Sequence, residues 1–101
     1  MSFDQAFVKR HESVEDWRSG TFTIDATAAG VKTATVTYVG RFRATPELVV
    51  IWTQDDFTTV RLGGDGVSAR SETGFTFQIA VTTAEAGLTA MAWRYMAVLF
   101  R

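Results

Sequence analysis

The sequence predicts an all-β fold, a six-stranded antiparallel β-sandwich preceded by a short N-terminal segment that is either helical or extended. Three observations lead there. From Phe75 to Val81 large apolar residues alternate with small or polar ones, Phe75, Phe77, Ile79 and Val81 against Thr76, Gln78 and Ala80, the period of a strand with one buried face. Short runs of this kind recur from Thr21 onward, separated by Gly, Pro, Asp and Ser at the spacing of a sandwich or barrel. The last run, Leu88 to Phe100, is largely apolar on both faces: Leu88, Ala90, Ala92, Arg94, Met96 and Val98 on one, Met91, Trp93, Tyr95, Ala97 and Leu99 on the other. A strand apolar on both faces in so short a chain needs a second body to bury against, and another copy of the chain is the expected one.

Residues 1–19 differ from the rest of the chain. They hold six charged residues before Trp17 and no glycine, and Phe3, Phe7, Val14 and Trp17 recur at spacings of four, seven and three, with Arg10 at the missing position. That a/d pattern is compatible with a short amphipathic helix or stem, and equally with an extended arm whose aromatics tuck against the domain. Ser19-Gly20 marks the start of β structure, so the expected division is an arm over 1–19 and a sandwich over 20–101.

The first strand alternates Phe22, Ile24 and Ala26 with Thr21, Thr23 and Asp25, and a loop at Ala29-Gly30 closes it. Thr33, Thr35 and Thr37 alternate with Ala34, Val36 and Tyr38 in the second, followed by an irregular crossing from Gly40 to Pro46. Glu47 to Thr53 is the third, and its unbroken run Leu48-Val49-Val50-Ile51-Trp52 implies cover on both sides. Asp55-Asp56 reads as a turn, Phe57 to Leu62 as the fourth strand, and Gly63-Gly64-Asp65-Gly66 as a hairpin turn suited to positive φ. The polar connection Ser68 to Thr73 leads to the fifth strand.

Composition narrows the function. At 101 residues the chain makes one domain, able to bury roughly two thirds of its unfolded surface. Its net charge of -1, from 10 basic and 11 acidic residues spread along the chain, offers no footprint for nucleic acid or an anionic membrane. No cysteine and a single histidine, His11, leave little for disulfides, metal centres or cofactor chemistry. No apolar run is long enough for a membrane span, and Asp4, Lys9, Arg10 and Glu12 interrupt any leader core. A protein acting outside the cell without a leader leaves by lysis, by a dedicated secretion route or as part of a particle.

Catalytic constellations are missing: Asp55-Asp56 point apart in a turn, the glycine run lacks the Lys and Ser/Thr of a phosphate loop, and His11 stands alone. The expectation is a non-enzyme. Arg61, mid-strand between Val60 and Leu62, is a rigid guanidinium suited to an interfacial carboxylate or to sugar hydroxyls, or else a solvated strand arginine. Trp17, Trp52 and Trp93 are core or interface residues or platforms for a sugar ring.

The order of Ser19-Gly20 with Ile24-Asp25, Pro46-Glu47-Leu48-Val49-Val50, Val60-Arg61-Leu62, Thr73-Gly74-Phe75, Ala92-Trp93 and Met96-Ala97 resembles the H-type lectin domain over about residues 18 to 100. The resemblance implies a homotrimer about a threefold axis, with sugars of the N-acetylgalactosamine type bound in clefts between subunits. It places Arg61 and Asp25 at the sugar, together with Thr82-Thr83, where the family carries an aromatic and a polar residue. Met91, Trp93 and Tyr95 are the expected trimer seam. Two functions are the resulting expectations: a lectin-like trimeric module recognising cell-surface glycans, or a structural trimer in the spike or fibre of a phage-like particle with a host-attachment role. An anchoring protein for the N-terminal arm is the further partner expected in the second case.

Overall fold

The computed structural model describes residues 14–53 and 59–101. Six strands run in the order β1 (Val14–Ile24), β2 (Gly30–Thr37), β3 (Glu47–Trp52), β4 (Arg61–Arg70), β5 (Gly74–Thr83) and β6 (Met91–Phe100). They form two three-stranded antiparallel sheets, β1-β6-β3 and β2-β5-β4, with the apolar strands β6 and β5 in the central positions. Centrality explains their composition, since a middle strand loses water from both edges and one face. The alternation along β5 is realised fully: Phe75, Phe77, Ile79 and Val81 are all buried.

The two sheets meet through aromatic rings. Phe22 of β1 stands edge-on to Phe75 and Phe77 of β5 at 5.8 and 5.7 Å, and Phe77 reaches Trp93 of β6 at 4.8 Å. Phe22, Trp93 and Trp52 stack in series across β1, β6 and β3, at 6.4 and 5.8 Å. At the other end Tyr38, directly after β2, packs on Phe75 and Tyr95, which also meet each other, and Phe42 of the irregular crossing stands edge-on to Tyr38 at 5.0 Å. Burial pushes the Tyr38 phenol above its ordinary value.

Two elements differ from expectation. β1 starts at Val14, so residues 14–19 are neither helix nor arm; Val14 and Trp17 lie in a strand whose exposure alternates with period two. Charge on its inner side is accommodated: the Arg18 guanidinium lies 4.2 Å over the Phe42 ring, bonds Asp16 at 3.0 Å and donates to the Val39 carbonyl at 2.9 Å. Phe3, Phe7, Arg10 and His11 lie outside the described residues, as do Asp55-Asp56 and Phe57.

The second difference is Gly63-Gly64-Asp65-Gly66, which is not a hairpin turn but part of β4. Positive φ falls instead at Gly30, Gly40 and Gly87. The run is extended backbone on an edge strand whose register shifts at Arg61/Leu62, Leu62/Gly64 and Val67/Ala69, the bulged setting in which strand glycines are tolerated.

Glu15 ties the start of β1 to the crossing by a two-pronged pair with Arg43, at 2.8 and 3.0 Å. The Arg43 hydrogen bond holds the Glu15 carboxyl below its ordinary value. A carboxyl lowered in the folded state contributes stability above its unfolded value and loses it as pH falls through the folded one. Glu15→Gln is therefore expected to lower stability slightly at neutral pH and to converge with wild type at low pH, which flattens the acid limb of a stability profile followed by urea midpoints; an unchanged acid limb would contradict the pairing.

Candidate functional site

The residues expected at a sugar gather at one end of the sandwich. Arg61 opens β4 opposite Thr83 at the close of β5, and the Thr82 hydroxyl donates to the Arg61 carbonyl at 3.1 Å. Asp25 follows β1 in a loop bound to the same end: Ala26 donates its N–H to the Leu88 carbonyl and Glu85 donates to the Ala26 carbonyl. Glu85 Oε1 in turn accepts from the Thr59 N–H and hydroxyl, at 2.7 and 2.8 Å, two residues before Arg61. The four positions thus share a rim.

Some of their polar atoms are engaged within the chain. Asp25 Oδ1 accepts from the Thr27 hydroxyl and from its N–H at 2.8 Å, bonds that hold the carboxyl below its ordinary value and fix it as the hinge of an Asx turn. Arg61 donates one Nη1 proton to the neighbouring Val60 carbonyl at 2.8 Å and keeps its remaining donors. Among the described residues no group of three or more His, Cys, Asp and Glu could hold a metal ion.

Met91, Trp93 and Tyr95 are not at a surface. They are 0%, 2% and 9% exposed, inside the protomer's own core, because the bulky face of β6 is the one that fills the space between the sheets. The uncovered apolar surface lies on the other side of the same sheet, where Trp17, Val49, Ile51 and Met96 are 59%, 60%, 51% and 47% exposed. The register aligns them in rows across the three strands: Trp17, Val98 and Glu47; Ser19, Met96 and Val49; Thr21, Arg94 and Ile51. A shallow depression of about 520 Å³ opens among the last two rows. The sequence carried two signals of this face, the unbroken apolar run of β3 and the two apolar faces of β6, but it did not say which side of β6 would be left open.

The fold has known structural counterparts. The fold is similar to part of the tailspike protein gp49 of Pseudomonas phage LKA1, with a TM-score of 0.63 and 20% identity over 86% of this chain and 15% of that one. It is similar to an N-truncated R1-type pyocin tail fibre, with a TM-score of 0.51 and 21% identity over 83% of this chain and 68% of that one. A longer C-terminal piece of the P. aeruginosa R1 pyocin fibre aligns equally well and is covered to 22% of its length. The chain therefore spans a small part of the tailspike and of the longer fibre. No family model matches it and no curated protein matches its sequence, so the likeness to H-type lectins rests on the motifs alone.

Proposed function

We propose that this chain is a non-catalytic structural module of the spike or fibre of a phage-like particle, assembling as a homotrimer and contributing to attachment at the host surface. The observation that carries the reading is the fold, which matches a domain of a phage tailspike over 86% of this chain. The uncovered apolar sheet face supports self-assembly, since a monomeric domain rarely leaves such a surface in water. Immunogold labelling of particles released from the producing cell tests it. Label on the tail appendage is expected, and particles that lack the chain overturn the reading.

A carbohydrate role is favoured by one observation, the convergence of Asp25, Arg61, Thr82 and Thr83 at one end of the sandwich. With no aromatic at Thr82-Thr83, binding rests on hydrogen bonds that return about 0.5–1.5 kcal/mol each. Free N-acetylgalactosamine is then expected to bind only near the millimolar range, about -4 kcal/mol, with attachment arising from several sites acting together. Calorimetry against the free sugar and against the same sugar on a multivalent surface checks this. Arg61→Ala should abolish surface binding and Arg70→Ala should not; equal effects would contradict the site.

A further inference from the structure

We propose that residues 39–46, the crossing from β2 to β3, form an acid-released strap, a segment fastened to both sheets by pairs of arginine and carboxylate that opens on its own when the carboxylates are protonated. The proposal concerns the protomer alone and does not depend on the particle reading above.

The crossing has little main chain to hold it. It contains neither helix nor strand, and among the described residues its one backbone hydrogen bond runs from the Phe42 N–H to the Glu72 carbonyl, at 2.9 Å. Gly40 turns the chain near its start with a positive φ, and the buried Pro46 ends it. Side chains supply the other fastenings, and each pairs a guanidinium with a carboxylate. On the side of the β1-β6-β3 sheet, Glu15 takes both prongs of Arg43, and Asp16 holds Arg18, whose Nε donates to the Val39 carbonyl and whose guanidinium covers the Phe42 ring. On the other side Arg41 bonds Glu72, in the connection between β4 and β5. Glu15, Asp16 and Glu72 thus clamp one short segment from two sheets.

Beneath the strap the surface is apolar. Phe42 is fully buried and stands edge-on to Tyr38, which in turn meets Phe75 and Tyr95. Opening therefore lifts one ring off the aromatic end of the core while the ladders of β5 and β6 stay closed. Acid acts on all three clamps at once, because a protonated carboxyl keeps at most a neutral hydrogen bond to its arginine. Arg43 holds the Glu15 carboxyl below its ordinary value, with Arg101 favouring the charged form and Asp16 opposing it, so this clamp loosens only as pH falls through the lowered value. Asp16 faces Arg18 and Glu72 faces Arg41, while the groups that face Tyr38 are Arg70 and Tyr95, neither of them a carboxylate. Exposed pairs are individually weak, each a factor of about 1.5 to 5 in an opening equilibrium, and three on one segment multiply to on the order of tenfold or more. That moves a segment with one backbone bond without unfolding the sheets.

Hydrogen exchange of the Phe42 amide, with Phe77 of β5 and Tyr95 of β6 as references in the central strands, tests the strap. In wild type near neutral pH, Phe42 is expected to be less protected than the references and nearly insensitive to low urea, as a local opening is. Its protection, corrected for the intrinsic pH dependence of exchange, should fall about tenfold or more between about pH 7 and about pH 2.5, on either side of the ordinary carboxylate values near 4. The combined variant Glu15→Gln, Asp16→Asn and Glu72→Gln should show that loss at neutral pH already. Asp65→Asn, which removes an exposed β4 carboxylate that has no ion pair among the described residues, should leave Phe42 as in wild type. Equal protection and equal urea dependence at Phe42, Phe77 and Tyr95 would mean that the crossing opens only with the whole domain, which overturns the proposal. So would Phe42 protection unchanged in the combined variant, or lowered as much by Asp65→Asn.

Discussion

Replacing Trp93 by alanine is expected to lower the unfolding free energy by about 3–5 kcal/mol, the range for removing a large aromatic from a core. Trp93 is 2% exposed and is the ring through which the two sheets and three strands communicate: stacked on Trp52 and Phe22 and tilted against Phe77 of the opposite sheet. No neighbour can collapse into the space without breaking that series. Against the roughly 5–15 kcal/mol that holds an ordinary domain, such a loss is a fifth or more of the whole. Trp93→Phe separates packing from polarity. It keeps a ring in the stack and removes an indole N–H that is buried with no acceptor among the described residues. It should therefore retain most of the stability. Urea midpoints taken at one protomer concentration, where assembly adds the same mass-action term, give the comparison. Losses of equal size in the two variants would contradict the account.

The centre of the fold was readable because local pattern and tertiary role agree there. β5 alternates large and small residues and is a middle strand with one buried face, and the inner half of β6 follows the same logic, whereas β3, whose unbroken apolar run implied cover on both sides, is an edge strand that leaves Val49 and Ile51 exposed. Legibility failed where one residue type serves two geometries. Glycine marks both turns and bulged edge strands, and Gly63-Gly64-Asp65-Gly66 is the second, paired to β5 through shifted register. Likewise Val14 and Trp17 fit a heptad as well as a strand, and the strand prevails because Arg18, the residue that looks wrong on an inner face, is held by Asp16, Phe42 and the Val39 carbonyl. The candidate surface was half legible. Two apolar faces on β6 were evident, but the choice between them depends on which one meets the opposite sheet, and the larger residues took the interior. The polar cluster at Arg61 needed hydrogen bonds between loops far apart in sequence, from Ala26 through Glu85 to Thr59, which no local pattern encodes.

Gly74→Ala is expected to be the most damaging of the small substitutions, costing about 3 kcal/mol, the upper end of the usual overpacking range. Gly74 begins β5 opposite Thr37, and a Cβ there would stand 2.1 Å from the Val36 carbonyl oxygen and 3.1 Å from the Thr37 Cα. Both are backbone atoms, so no rotamer change relieves the contact and the two strands must part at this end. The same corner carries the Gly74 carbonyl accepting from the Ser71 N–H, the Thr73 carbonyl accepting from Tyr38 and the Glu72 carbonyl accepting from Phe42. Parting the strands thus loosens the seat of Tyr38 and Phe42. Gly66→Ala in β4 is the counterpart: an added Cβ meets nothing within 4 Å and the backbone does not require a left-handed conformation. There the substitution removes unfolded-state freedom only, and a gain of about 0.4–1 kcal/mol is expected. Denaturation of the two variants side by side should show shifts of opposite sign, and a loss at Gly66 as large as at Gly74 would mean that general intolerance of β-strand change, not the approach of Val36, sets the cost.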